Sequence, residues 1–456
     1  MKIFNSLTKK KETFIPRVHK KIDLYVCGMT VYDDIHIGHA RTFINFDAII
    51  KFLRFAGWEV NYIRNITDID DKIIEAAREA KISALDLSRK YINEMHKDFD
   101  SLGMMRPNKE PKVSDHINEI IEMIKTLENK GYAYSKEDSD VYFDVIKFKE
   151  YGKLSNRTLN QIESAERINI DLNKNHEADF VLWKKDTLGI TWPSPWGQGR
   201  PGWHIECSAM SMKYLGEEFD IHGGGLDLKF PHHENEIAQS RCATNKNFAS
   251  YWMHTGPLRI NDKKMSKSLK NFLTVKDVLK NFHPEVLRLF FLLTHYRSPI
   301  SYSEEGLRKA KIILDKLYNL LENENEKVID RFSKDKTFID NFFSSMEDDF
   351  NTPKAIQLIQ NYAQSINQKG EINIEKLSNL KMILNSLGLL EDHPNNYFKY
   401  GSIDFLVDEI ENFINERAEA RKNKNFKLAD KIRDNLLGKG ILLEDLDGKT
   451  IWKKIS

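Results

Sequence analysis

Three groups of residues have types and spacings that could do chemistry. His36-Ile37-Gly38-His39 sets two imidazoles three residues apart around a glycine. At the start of a helix both could point the same way. The free N–H groups and positive end of such a helix would seat a phosphate, and Gly38 would let a ligand approach the backbone. Lys263-Lys264-Met265-Ser266-Lys267-Ser268 puts three lysines and two hydroxyls on one short segment, which suits a triphosphate whose charge grows in a transition state. Cys27, Cys207, His232 and Glu236 offer two sulfurs, a nitrogen and an oxygen. His232 and Glu236 stand at i and i+4, on one side of a helix, and the donor set suits zinc. Each group also has a plainer reading. Two surface histidines, a solvated basic loop, and buried cysteines with a carboxylate near a helix start are all common. Spacing alone leaves these alternatives open.

The elements that would have to position these residues follow from hydrophobic pattern. Ile22–Val26 reads as a short buried strand and Cys27 to Ile37 as a loop. Phe43, Phe46, Ile50 and Leu53 recur at helical spacing up to Gly57, and Trp58–Ile63 reads as the next strand. Strand, helix and strand in about 40 residues make a βαβ unit, with parallel pairing and a right-handed crossover. Ligands in such sheets sit beyond the carboxyl ends of the strands, which is where Cys27–His39 would lie. Pro201–Leu215 is predicted to be a helix with Pro201 in its first turn and Trp203, Cys207, Met210 and Tyr214 on one face. Phe219–His222 is predicted to be a strand running into Gly223–Gly225. Pro231 opens a further helix carrying His232 and Glu236. From about residue 305 the pattern is helical, and Asn395–Ser402 reads as a linker.

Bulk composition is that of a globular protein. The chain has 456 residues, 41% hydrophobic and 30% charged, with a formal net charge of +1, so no global field points to a polyanion and any RNA would bind through local patches. Three cysteines are too few and odd for a disulfide framework and point to a reducing compartment. The Lys-rich start lacks an apolar signal-peptide core, and the run Leu287–Leu293 is too short to span a bilayer. A cytoplasmic protein is expected, with no membrane partner.

The His36–His39 motif in a βαβ unit, followed roughly 230 residues later by Lys264–Ser268, resembles the paired signature of class I aminoacyl-tRNA synthetases. That resemblance implies that His36, Gly38 and His39 bind ATP, that Lys267 stabilises the transition state for adenylate formation, and that Lys264 assists it. Longer runs resemble the cysteinyl-tRNA synthetases in particular. They are Pro201–Met210, Phe219–Gly225, Asp227–Ser240, Arg64–Lys72 and Phe350–Pro353, and together the likeness extends over essentially the whole chain. It implies one zinc per chain, held by Cys27, Cys207, His232 and Glu236. It places Gly28, Thr67 and Trp203 beside the amino acid and Asp227 near its ammonium. L-Cysteine, ATP with Mg2+, and tRNA-Cys are the implied substrates, and a monomer is the implied state. The zinc has a physical rationale. A shaped pocket separates near-isosteres by only about 10²-fold, whereas a metal takes a thiolate strongly and a neutral hydroxyl weakly.

The implied fold is α/β. Residues 1–110 and 201–255 would form a Rossmann-like catalytic domain with a parallel sheet, and 111–200 a connective insertion. Residues 256–305 would be a linking region with the lysine–serine loop, 306–395 a helical domain and 403–456 a small C-terminal anticodon-binding module. Residues 417–433 hold seven basic residues against two acidic ones, a helix suited to phosphates. Residues 401–456 as a whole balance eleven of each, which leaves a solvated amphipathic face equally open. Trp452 could stack on an unpaired base or pack a small core. His204, His222 and His233 could orient metal ligands or line the pocket, and Cys242 reads as a buried apolar residue. Where the family carries glycine after the lysine–serine loop, this chain has Lys270, which implies altered loop mobility. Two rivals stand beside this reading. One is a relative that passes activated cysteine to a small amine, and the intact segment to Trp452 argues against it. The other is a non-catalytic descendant, and the intact His36, His39, Lys264 and Lys267 argue against that.

Overall fold

The structure is a computed structural model. It describes every residue except 160, 162–171, 187–188, 261–262, 265–271, 322–334, 369–370, 402–406, 447–448 and 455–456. Its centre is a four-stranded parallel sheet. Strand β1 (Lys21–Val26) leads through the Cys27–His36 loop into helix α1 (Ile37–Phe55) and returns as β2 (Glu59–Arg64). Helices α2 (Asp71–Ala80) and α3 (Ala84–Ser101) follow. After the insertion come α4 (Ile205–Leu215), β3 (Glu218–Gly225), α5 (His232–Thr244) and β4 (Phe248–Thr255). The strand order is β4-β3-β1-β2, with Val26 opposite both Arg64 and Gly223. The carboxyl ends of all four strands therefore open onto one edge, where the chemistry-bearing loops emerge.

Helix α1 starts where His36 caps it and is buried along most of its length. It lies between the sheet and the helical part of the chain. Asp47 on α1 pairs with the buried Arg288 at 2.7 Å, and Arg288 also donates to the carbonyl of Leu102 at 3.0 Å. One apolar core runs from the sheet through α1 into the helices 284–292, 304–319, 336–346, 352–364 and 374–385. The insertion has its own core. There, helix Ile117–Asn129 covers an antiparallel sheet of Ala133–Ser135, Val141–Phe143, Phe180–Lys185 and Gly199–Pro201, around Ile120, Ile124, Leu182 and Trp183.

Three local expectations need correction. Pro201 ends a strand rather than starting a helix. It pairs with Trp183, Gly202 N donates to the Leu182 carbonyl, and α4 begins at Ile205. Sheet pairing outweighed the helix-start signal of the proline. Gly223–Gly225 belong to β3 rather than following it. A Cβ on Gly223 would enter the Phe46 ring, and one on Gly224 would sit 2.9 Å from the His233 ring. Residues 395–402 do not all form a linker, because Pro394–Lys399 is helical and buries Tyr397 and Phe398. The Tyr397 ring stacks on Tyr318 at 3.9 Å between centroids. The C-terminal part consists of helices Val407–Lys422 and Phe426–Gly438 and an antiparallel hairpin, Ile441–Leu446 with Lys449–Lys454.

Candidate active site and metal centre

Both ends of the site are built at the strand edge. His36 adopts an extended conformation (φ −90°, ψ 160°), and its Nδ1 accepts the His39 N–H at 3.1 Å, satisfying one of the donors freed at the helix start. The two rings stack with centroids 3.5 Å apart. Burial, then His36 and Lys72, holds the His39 imidazole well below its usual range, so it is neutral at pH 7 and can offer one N–H. The Ile37 N–H donates to the Leu273 carbonyl at 3.0 Å, and the Val275 N–H to the Ile35 carbonyl at 2.9 Å. The backbone around His36 is thus paired with the segment that follows the lysine–serine loop. Lys264 lies in a strand pairing with Arg259, and Lys267 and Lys270 lie outside the described residues.

The four residues of the S₂NO set meet. Donor atoms of Cys27, Cys207, His232 and Glu236 all lie within 4.8 Å of one another. Cys27 leaves the end of β1, Cys207 projects from α4, and His232 and Glu236 share a face of α5. Cys27 Sγ is 3.5 Å from His232 Nε2 and 3.3 Å from Glu236 Oε1. A second combination, Cys27, His222, His233 and Glu236, is equally compact. The cavity decides between them: Cys27, Cys207 and His232 line it, whereas His222 and His233 do not. That lining favours the first set for an ion open to a substrate.

The surroundings fit a dication. Burial, and then the neighbouring Cys207 and Glu236, push the Cys27 thiol well up; burial pushes up Cys207 and holds the His232 imidazole at about 3. Burial also works against the Glu236 carboxylate, but His222 and His232 hold it below its ordinary range. Glu236 Oε2 and His222 Nδ1 are buried without partners. A cation at the centre would favour both thiolates and take up unused donor capacity. His204 Nδ1 is 3.0 Å from His232 Nδ1, which leaves Nε2 of His232 facing the cluster. His222 Nε2 is 3.4 Å from Cys27 Sγ, while His233 pairs with His254 at 2.8 Å. Cys242 packs in the apolar core of the insertion, its thiol pushed up to about 12 by burial.

One cavity of about 740 Å³ joins the two ends and is lined by His36, Gly38, His39, Gly28, Thr67, Trp203 and Asp227 as well as the three metal-set residues. Gly28 N donates to Asn65 Oδ1 at 2.7 Å, and Thr67 Oγ1 donates to the buried Glu206 at 2.9 Å. Trp203 is 40% exposed, with its ring 4.7 Å from that of His232. It is therefore a wall of the cavity rather than core. The sequence reading gave no role to Tyr32, Asn65, Lys72, Arg259 or Phe272, which also line it. The one available signal was that Asn65 and Lys72 fall in the run Arg64–Lys72.

Trp452 is core, not a stacking platform. It is 2% exposed among Ile410, Ile432 and Leu436, and its Nε1 donates to Glu411 at 3.0 Å. Two residues of the basic stretch are held by ion pairs within this part of the fold, Arg417 buried and Arg421 exposed. Arg417 pairs bidentately with Asp445 at 2.8 and 2.9 Å, and Arg421 reaches the same carboxylate. Among the described residues of this region, Phe426 is the exposed aromatic, at 61%.

The description tRNA synthetases class I (C) catalytic domain matches residues 13–312, and that of a DALR domain matches 341–391. The cysteine–tRNA ligase of Pseudoalteromonas translucida (strain TAC 125) is 48% identical over 457 residues, covering 99% of both chains. That of Hydrogenovibrio crunogenus (strain DSM 25203 / XCL-2) is 49% identical over 462 residues, covering 100% of both. Among solved structures, a Mycobacterium tuberculosis methionyl-tRNA synthetase with methionyl-adenylate superposes with a TM-score of 0.58 at 14% identity, over 81% of this chain and 89% of that one. An Agrobacterium radiobacter K84 LeuRS–tRNA–LeuAMS ternary complex gives 0.60 at 11% identity, over 97% of this chain and 91% of that one. These two likenesses support the fold.

Proposed function

Because the chain belongs to the cysteine–tRNA ligase family of class I aminoacyl-tRNA synthetases, we propose that it activates L-cysteine with ATP and transfers the cysteinyl group to tRNA-Cys. The observation that carries this reading is the single cavity joining a helix-start phosphate seat to an S₂NO donor set. In the first step the cysteine carboxylate attacks the α-phosphorus of Mg2+-bound ATP and pyrophosphate leaves. In the second, the terminal ribose hydroxyl of the tRNA attacks the carbonyl and AMP leaves.

Cys27, Cys207, His232 and Glu236 would hold one zinc, which when bound offers a soft Lewis-acid site that takes a thiolate and rejects a hydroxyl. The remaining roles fall to the chain itself. Gly28, Thr67 and Trp203 enclose the amino acid, and Asp227 faces its ammonium. His36 and Gly38 seat phosphate, and neutral His39 donates to it without adding a charge that would have to be lost later. Lys264 and Lys267 stabilise charge growing on the transferred phosphate. Catalysis is then mostly positioning and charge stabilisation. The C-terminal residues 403–456 would carry the anticodon contacts through Phe426 and those basic residues not committed to Asp445, namely Lys422, Lys424, Lys427, Lys431 and Arg433. We take the protein to act as a cytoplasmic monomer; three buried, unpaired thiols favour a reducing compartment, and no helix among the described residues is long and apolar enough to cross a membrane.

The experiment is charging of tRNA-Cys with labelled cysteine or serine, using protein of measured zinc content. Charging with cysteine and not with serine supports the reading. Cysteine-dependent pyrophosphate exchange without charging would point to a different acceptor, and the absence of both would leave a non-catalytic descendant.

A further inference from the structure

Among the described residues lining the cavity, Asp227 is the one carboxylate, and Lys72 and Arg259 are the two full cations. Lys72 is oddly placed for a surface lysine. It is the second residue of α2, where a positive side chain opposes the helix dipole. Neither acid beside it forms an ion pair with it, although the Lys72 charge is felt at Asp70. Asp70 Oδ1 accepts the Lys72 backbone N–H at 2.8 Å as the helix cap, and Asp71 is paired with Arg200 and with Lys184 at 3.0 Å, binding α2 to the insertion sheet. The Lys72 ammonium forms no ion pair among the described residues and instead stands 5.7 Å from the centre of the Tyr32 ring. Its charge is felt at His39, where it adds to the forces keeping that imidazole neutral.

A cation on a cavity wall with no ion pair among the described residues, held in an unfavourable dipole position beside a phosphate-seating histidine, is placed to take an arriving anion. We propose that Lys72 is a further substrate-binding residue for the activation step, taking phosphate oxygens of ATP, and of pyrophosphate in the reverse direction, next to His39. The inference rests on the reading of the cavity as the ATP site. Lysine suits the role as a compact, flexible point charge that can follow a polyphosphate. The cysteine carboxylate is the less suitable anion. It must attack phosphorus, and a direct ion pair would stabilise the nucleophile in the ground state and slow it.

The test is cysteine-dependent ATP–pyrophosphate exchange by wild type, Lys72→Met, Lys72→Gln and Lys72→Arg, with thermal unfolding and zinc content measured for each. Lys72→Met and Lys72→Gln should lower kcat/KM for ATP and for pyrophosphate by roughly tenfold or more, with KM for cysteine held within about twofold. Lys72→Arg should restore most of the loss. The deficit should shrink as KCl is raised, because this charge is exposed to solvent. Wild-type-like ATP and pyrophosphate kinetics in Lys72→Met would overturn the proposal. So would a rise in KM for cysteine alone, which would move Lys72 to the carboxylate. If the wild type itself showed no exchange, the reading of the site would fail first. Calorimetric binding of inorganic pyrophosphate to wild type and Lys72→Met would then decide the role of Lys72 separately.

Discussion

Gly28 offers the sharpest test of how the site is assembled. It follows Cys27 at the end of β1 and lies against the loop carrying Asn65 and Thr67. A Cβ built on Gly28 falls 1.7 Å from the Asn65 carbonyl oxygen and 2.8 Å from its carbon, whereas ordinary contact begins at 3.4 Å. The obstacle is backbone, which cannot swing aside as a side chain would. Gly28→Ala must therefore drive the β1 and β2 loops apart by more than about 1.5 Å, since overpacking of this kind is relieved by backbone shifts. The Gly28 N–Asn65 Oδ1 bond of 2.7 Å would break, and Cys27 and Thr67 would separate. Strain of this kind costs about 1–3 kcal/mol of stability, which a chain of this size should survive folded. A 1 Å misplacement of reacting groups costs about 10²-fold in rate, so kcat/KM for cysteine in pyrophosphate exchange should fall by about that factor or more. The assay pairs exchange kinetics with zinc stoichiometry and thermal unfolding. A folded, zinc-loaded Gly28→Ala protein with kinetics within about threefold of wild type would refute the argument that close backbone approach sets the geometry.

Four further outcomes are expected. Stripping zinc with a chelator should abolish preference for cysteine over serine while leaving a cooperative unfolding transition at lower temperature, since a ligand bound only by the folded state adds stability; a stripped protein that still selects cysteine would sink the assignment. Arg288→Met should lower stability by about 3 kcal/mol in urea unfolding by leaving the buried Asp47 carboxylate with only the Lys51 ammonium, 4.0 Å away, as a counter-charge, and Asp47→Asn with Arg288→Met should lose less than the single variant. Asp98 is buried with an unpartnered oxygen, and burial raises its carboxyl to about 6. Its protonated form is the one the fold prefers, so its contribution is full below about pH 4 and is lost as pH rises through 6. Asp98→Asn should then unfold at higher denaturant than wild type at pH 7.5 and at nearly the same denaturant at pH 4, and a variant no more stable at pH 7.5 would contradict this. Phe426→Ala should raise KM for tRNA in charging by roughly tenfold, the value of about one stacked base, without altering pyrophosphate exchange.

How much of this was legible in the sequence depended on whether the cause was local. The unit β1–α1–β2 was, because Phe43, Phe46, Ile50 and Leu53 share a helical face and Gly57 takes φ +82° just past the end. The helix bearing His232 and Glu236 also follows from local spacing. Their meeting with Cys27 and Cys207 does not, because 180 residues separate Cys27 from Cys207 and no CxxC spacing marks the donors; resemblance supplied that set. Two misreadings, and the choice left open at Trp452, share a cause. Pro201 looks like a helix start until Trp183 takes it as a strand partner, Asn395–Ser402 looks like a linker until Tyr397 finds Tyr318, and Trp452 looks available until its indole is seen to reach Glu411. In each case a partner distant in sequence overrode a correct local preference.

The same logic explains why glycines crowd the site. At the carboxyl ends of parallel strands, loops from neighbouring strands must converge on one ligand, and side chains on the strands themselves would hold them apart. Gly28 lets the Asn65 loop in, Gly223 admits Phe46 from α1, Gly224 faces His233, and Gly256 lies against the backbone of Arg297 and Ser298. None of these four has the positive φ that marks a glycine required by its own backbone. They are needed for what stands opposite them. A glycine run such as Gly223–Gly225 therefore reads as a turn in isolation, yet here it is the end of a strand, paired with β4 throughout and with β1 at Gly223. Substitution at these positions should disturb the alignment of two elements at once, and its cost should appear in kcat/KM before it appears in stability.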